Sequence, residues 1–341
     1  MAQLSRILAA LLIVVAPVRA TAAEVTLLFH TFLGPNSATV AQLVKPWADR
    51  MAAASEGRIA VEIFPSMALG GKPPELYRQV RDGVADIVWT LPGYTPGVFP
   101  RSEVFELPSV HGGSAMATTM AIQSAFDMIA EDFQEIHPLL VHVHAGNALH
   151  LRKAQEVSAP ALSGLKLRTP SRTGAWMIEA WGAEPVGMPV PALPQALAKG
   201  AVDGALVPFE ILPLLKLDEL TELSVEGPNE RRFGTAIFLL AMNKDRYQAL
   251  PDDLRAILDA ETATLAEEAG RIWTGVEPPG KAGQAASGGE VRALSPDAMA
   301  EFDRLAETVE ARWIAEADAA GLDGAALIDA AKAAMAAAPG N

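Results

Sequence analysis

Apolar positions fall into short unbroken runs that alternate with stripes at helical spacing. Glu24 to His30 (EVTLLFH) is a β-branched and apolar run, the pattern of a buried strand. Ala38 to Ala54 follows with Val40, Leu43, Trp47 and Met51 three or four apart, and Ile59 to Phe64 returns as a strand. The alternation continues with a helix around Pro74 to Arg81, a strand at Ala85 to Thr90, and a Pro- and Gly-rich loop, LPGYTPGVFP. A helix is expected over Ala115 to Glu131 and a strand over Leu139 to His144. Next come a strand at Gly164 to Thr169, a helix at Arg172 to Trp181, a strand at Glu184 to Met188, a short helix at Leu193 to Ala198 and a strand at Ala205 to Pro208. Thr235 to Met242 (TAIFLLAM) is one more apolar strand before a helix over Pro251 to Trp273. Glu277 to Gly289 (EPPGKAGQAASGG) reads as a loop. Ser295-Pro296-Asp297 then opens a long helix with a capping hydroxyl, a proline in the first turn and an acid at the N-terminus. An alanine-rich helix over Ala325 to Ala338 closes the chain. Strands alternating with helices define an α/β protein whose helices cover its sheets.

The N-terminus breaks this rhythm. Arg6 precedes the apolar run Ile7 to Val15, Pro17 interrupts it, and Ala20-Thr21-Ala22 offers small residues for cleavage. That is the layout of an export signal, residues 1–22, and the run is too short for the roughly 20 residues of a spanning helix. No later segment is long and apolar enough to enter a bilayer, so the expected location is outside the cytoplasmic membrane, in the periplasm.

Composition narrows the chemistry. The 341 residues suggest two domains and lack cysteine, which excludes disulfides, thiolate metal sites and a cysteine nucleophile. The formal charge is −14, and loss of Arg6 and Arg19 with the signal leaves 25 basic against 41 acidic residues. Such a surface repels phosphate backbones and anionic lipid, so nucleic acid is not an expected partner. An anionic ligand would need a local positive site.

Catalytic patterns are scarce. There is no Gly-x-Ser-x-Gly elbow, no G-x-G-x-x-G after a strand, and Gly70-Gly71-Lys72 lacks the rest of a phosphate loop. Among the histidines, His142 and His144 share one face of a strand, but no further ligand pair completes a metal site. No cofactor and no metal are expected. A metal-dependent hydrolase using His142, His144 and Glu210 stands as an alternative, as does a sensing subunit for a membrane kinase.

Several linked motifs carry a resemblance. GLKLRTP (Gly164 to Pro170), GAEPVGMP (Gly182 to Pro189) and ALAKGAVDG (Ala196 to Gly204) fall in an order and spacing similar to those of TRAP transporter periplasmic solute-binding proteins, the DctP-like family. GRIAVEIFPSMAL, GVADIVW, FELP, MNK and LPDDL extend the resemblance over the whole mature chain. It implies a non-catalytic receptor with a two-domain periplasmic-binding-protein (Venus flytrap) architecture, hinge strands and a long bracing helix. Residues 23–145 with about 234–273 would form domain I. About 146–233 with part of 274–341 would form domain II and the C-terminal helices, with crossings near Gly146 and Arg231 to Thr235. The implied partners are a small organic acid and the small and large membrane subunits of a TRAP permease.

In GLKLRTP the family places the arginine that receives the ligand carboxylate, here Arg168. A guanidinium is a permanently charged fork matched to two carboxylate oxygens. Arg172, a turn further on, reads as a surface residue at a helix start. Where sugar-acid binders of the family carry polar side chains, this chain has Phe32, Leu91 and Val207, and Val190 stands where an aromatic is expected. Trp89, Tyr94, Trp176 and Phe209 lie in or beside the same segments, with core packing as the competing explanation for Trp176 and Val190. Glu210 is the one carboxylate at the pocket edge, placed either to accept a ligand hydroxyl or to close an interdomain contact. Without side-chain partners for hydroxyl groups, the expected ligand is a monocarboxylate with an apolar or aromatic body.

Overall fold

The computed structural model describes residues 23–339. The expected signal segment lies outside the described residues. Eleven strands assemble into two sheets. They are β1 (Val25–Thr31), β2 (Ile59–Phe64), β3 (Ile87–Thr90), β4 (His137–Val143), β5 (Ala148–Leu151), β6 (Lys166–Thr169), β7 (Glu184–Gly187), β8 (Gly204–Val207), β9 (Leu223–Glu226), β10 (Ile237–Met242) and β11 (Glu290–Ala293). The first sheet has the order β2-β1-β3-β10-β4 and the second β11-β9-β5-β8-β6-β7.

Strand direction follows from the route of the chain. β1 runs parallel to β2 and β3, and β6 parallel to β7 and β8, with helices between successive strands. β10 is antiparallel to β3 and β4, and β5 is antiparallel to β8 and β9. Each of these two is the first strand after the chain passes from one sheet to the other. All six residues of β10 are buried, as expected for a strand covered on both faces.

The chain passes between the sheets three times, and the first two passages run side by side. Asn147 N donates to Gly234 O at 2.8 Å and Phe233 N donates to Asn147 O at 2.9 Å. Glycine is required at both. Gly146 has φ 108°, and a Cβ there would stand 2.4 Å from Arg232 Cβ; Gly234 has φ 70°, and its Cβ would stand 2.5 Å from Glu106 O.

The long helix Pro296–Ala319 starts as its sequence indicates, with the Ser295 hydroxyl accepting from Ala298 N. It buries Met299, Phe302, Val309 and Trp313, and packs on helix Arg172–Ala180 beside the second sheet and on the terminal helix Gly324–Ala337. The terminal helix in turn rests on helix Ala115–Ser124 of the first-sheet side. Arg231 pairs with Asp303 at 2.7 Å, which fastens the second passage to this brace.

Several elements differ from expectation. Residues 277–289 form no loop: Glu277–Ala286 is a helix with two prolines in its first turn, where their missing N–H groups cost nothing. Its Gly280 lies against the Phe209 backbone, where a Cβ would meet the carbonyl oxygen at 2.2 Å. The helix expected over 115–131 stops at Ser124 and continues as short 3-10 turns. The one expected over 251–273 is two helices, Asp252–Thr262 and Leu265–Gly275. The expected helix over 38–54 opens with a six-residue π-helix, Thr39–Val44, before Lys45–Ala54 continues as α-helix.

Candidate functional site

The C-terminal ends of β1, β3, β6 and β8 converge on one cavity of about 460 Å³, as ligand sites do at the carboxyl ends of parallel strands. Alternation along β6 decides its key residue: Leu167 points into the core, and Arg168 points to the opposite face and into the cavity. Arg168 is 2% exposed, and Nε donates to Met188 O at 2.9 Å and Nη1 to Leu206 O at 3.3 Å. Nη2 has no partner, and no carboxylate of the described residues neutralises the group. Burial pulls the guanidinium pKa below its ordinary value, a measure of what leaving this charge uncompensated costs.

An aromatic wall faces the arginine. Phe32 lies 5.5 Å from both the Trp89 and the Tyr94 rings, and Trp89 lies 4.5 Å from Phe238 and stacks on Trp273 at 6.3 Å. Leu91, Val190, Val207 and Ile211 add aliphatic surface. Tyr94, in the loop after β3, accepts a hydrogen bond from Val190 N at 2.9 Å, and its hydroxyl lies beside Arg168. That bond ties the loops of the two sheets across the cavity. Tyr94→Phe leaves a buried N–H unsatisfied at a cost of about 1 to 3 kcal/mol. The free protein, in which this bond is already made, should lose about that much stability in urea titrations. A second tie lies nearby, where Arg172, expected as a surface residue, donates through Nε to Glu103 at 2.8 Å. Burial outweighs that partner and pushes the Glu103 carboxyl up to about 7.

Eight of the nine expected site residues line the cavity: Phe32, Trp89, Leu91, Tyr94, Arg168, Val190, Val207 and Glu210. Phe209 does not. Its ring is taken by the protein's own cations, Arg232 at 5.3 Å and Lys281 at 5.6 Å, and by the His150 edge. Trp176 likewise lies under Arg172 and Arg312. Sequence reasoning missed Thr39, Asn147, Phe238 and Trp273, which line the cavity. Of the ten buried side-chain polar atoms without a partner among the described residues, five belong to this lining: Thr39 Oγ1, Asn147 Oδ1, Arg168 Nη2, Glu210 Oε2 and Trp273 Nε1. Unmet hydrogen-bonding capacity concentrated in one cavity marks a binding site.

The histidines serve the scaffold. His142 Nε2 accepts from Trp89 Nε1 at 3.1 Å and its ring packs on Trp273, which holds the aromatic wall in place. Among the described residues no group of three His, Asp or Glu gathers as a metal site would. Burial lowers the His142 pKa from 6.5 to about 3. The unfolded chain therefore binds the extra proton, and this contribution to stability is whole above pH 6.5 and drains as pH falls toward 3. Relative to His142→Gln, the wild type should lose about 2 kcal/mol between pH 6.5 and 5 in urea titrations.

The sequence matches the family described as bacterial extracellular solute-binding protein, family 7 (DctP), over residues 29–316. A marine metagenome TRAP solute binding protein specific for aromatic acid ligands, solved with metahydroxyphenylacetate, is 44% identical. It covers 93% of this chain and 100% of its own, with a TM-score of 0.89. A TRAP solute binding protein from Rhodoferax ferrireducens T118, solved with copurified benzoate, is 41% identical over 92% of this chain and 98% of its own, at TM-score 0.87. TsaT of Comamonas testosteroni, named an outer membrane transporter protein, is 24% identical over 95% of this chain and 96% of its own length. The hydrolase alternative falls with this membership. The chain belongs to family 7 of the bacterial extracellular solute-binding proteins, and is a TRAP periplasmic solute receptor of periplasmic-binding-protein fold, not an enzyme.

Proposed function

We propose that this receptor captures an aromatic monocarboxylate, with Arg168 as the anchor for its carboxylate. The observation that carries this is a guanidinium 2% exposed, held by two backbone carbonyls, with Nη2 turned unpaired into a cavity walled by Trp89, Tyr94, Phe32 and Trp273. An aromatic carboxylic acid supplies the missing counter-charge and the matching apolar body in one molecule. The relatives solved with metahydroxyphenylacetate and with benzoate support the same class. Residues 23–145 with about 234–273 would close as one body against the rest of the chain, with the paired segments around Asn147 and Gly234 as the hinge. The closed complex would then deliver its ligand to the small and large membrane subunits of a TRAP permease, after export to the periplasm and cleavage of residues 1–22.

A thermal-shift series with benzoate, benzamide and a neutral sugar tests the ligand class. At a hundredfold excess over its dissociation constant, benzoate should stabilise the protein by about 2.7 kcal/mol. The uncharged benzamide and the sugar should have no effect. Equal stabilisation by benzamide would remove the charge-based reading.

A further inference from the structure

The cavity has a second polar pole. Glu210 follows β8 and opens the short helix Ile211–Leu215, so its side chain reaches the cavity from the side of helices Leu265–Gly275 and Glu277–Ala286. Its Oε2 is shut off from solvent and makes no well-formed hydrogen bond; Nε1 of neighbouring Trp273 approaches the same carboxyl and makes none either. The nearest cation is already committed. Arg232 is bonded to Glu226 and, at 3.2 Å, to Glu277, whose other carboxyl oxygen accepts from Glu210 N at 3.3 Å. Glu210 and Arg168 both face the cavity, yet they form no ion pair with each other, so each end of the site keeps its own unmet demand. The aromatic wall touches both ends, with Tyr94 beside Arg168 and Trp273 beside Glu210.

We infer that Glu210 and Trp273 read a hydrogen-bonding substituent, a hydroxyl or amine, on the ring of an aromatic acid whose carboxylate sits at Arg168. The inference rests on the proposed function. One hydroxyl satisfies both orphaned atoms, donating to Glu210 Oε2 and accepting from Trp273 Nε1. An ether oxygen can only accept, and an unsubstituted ring leaves both groups buried and unmet, the situation in which a site built for a hydroxyl rejects its analogue. A second carboxylate is worse. It cannot donate, and it brings a second negative charge to a buried end of the cavity where Arg232 is already bonded to Glu226 and Glu277.

Titration calorimetry at neutral pH compares benzoate, meta- and para-hydroxybenzoate, meta-methoxybenzoate and isophthalate on the wild type, Glu210→Leu and Glu210→Gln. The better hydroxybenzoate isomer should bind the wild type at least about tenfold more tightly than benzoate or the methoxy compound, with isophthalate weakest. Glu210→Leu should bring hydroxybenzoate and benzoate to within about threefold of each other, because hydroxybenzoate loses its acceptor and benzoate no longer leaves a buried carboxyl unmet. Glu210→Gln, whose amide oxygen still accepts, should retain part of the preference. If Glu210→Leu does not fold, Trp273→Phe removes the indole donor and should cut the preference several-fold. A wild type without hydroxyl preference, or a preference undiminished in these variants, overturns this inference while leaving benzoate binding and the proposed function standing. Failure of every acid to bind the wild type overturns both.

Discussion

Arg168→Ala is expected to weaken binding of an aromatic carboxylate by two to three orders of magnitude, a loss of about 3 to 5 kcal/mol. In the complex the guanidinium and the carboxylate are partners in one desolvated charge pair, so deleting the cation leaves the anion buried alone. Arg168→Lys should not restore the affinity. Nε and Nη1 are held by Met188 O and Leu206 O, which aims the remaining nitrogen at the cavity, and an ammonium on a flexible stem has no equivalent of that two-point mounting. The effect on the free protein should be small. Without its ligand the arginine carries a desolvation penalty of several kcal/mol, and its removal relieves this while orphaning two carbonyls at about 1 to 3 kcal/mol each. Calorimetry of binding and urea titration of the free variant measure the two effects separately.

Arg232→Ala should do the opposite, destabilising the free protein by about 3 to 5 kcal/mol. Arg232 is as buried as Arg168, at 4% exposed, but its charge is met by two carboxylates. It bonds Glu226, Glu277 and Glu230 O while lying over the Phe209 ring, and it sits on the passage that carries the chain back to the first sheet. Alanine strands two buried carboxylates, Glu226 and Glu277, with only Lys281 left to meet Glu226 at 2.8 Å. Adding Glu226→Gln and Glu277→Gln to Arg232→Ala should return most of the loss, since the cost lies in uncompensated charge. Urea midpoints for the single and triple variants check this. The two arginines differ in their partners, since burial is the same for both, and on the proposed function Arg168 alone serves the ligand.

The strands visible in the sequence are those with long apolar runs, such as Val25–Thr31 and Ile237–Met242, whose burial dictates their composition. β5, β9 and β11 escaped because no strand-helix-strand unit brackets them as it does the equally short β6, β7 and β8, and their partners are distant in the chain. The proline- and glycine-rich stretch at 277–289 reads locally as a loop, yet the prolines occupy a first helical turn and Gly280 is there for contact with Phe209. Arg168 was legible because its motif places it at the end of a strand in a fixed frame. Phe209 stays out of the cavity lining because Pro208 ends the alternation of β8, so the face it takes is set by Arg232 and Lys281 on other elements. Asn147 and Trp273 reach the cavity only through the passage between sheets and the packing of a helix, for which no local pattern gives a sign.

The most direct measurement is a crystal structure of the receptor with benzoate. The account predicts the carboxylate on Arg168, with Nη2 at about 2.7 to 2.9 Å from one of its oxygens and the ring against Trp89 and Phe32. A carboxylate bound elsewhere, with Arg168 Nη2 still unpaired, would contradict it.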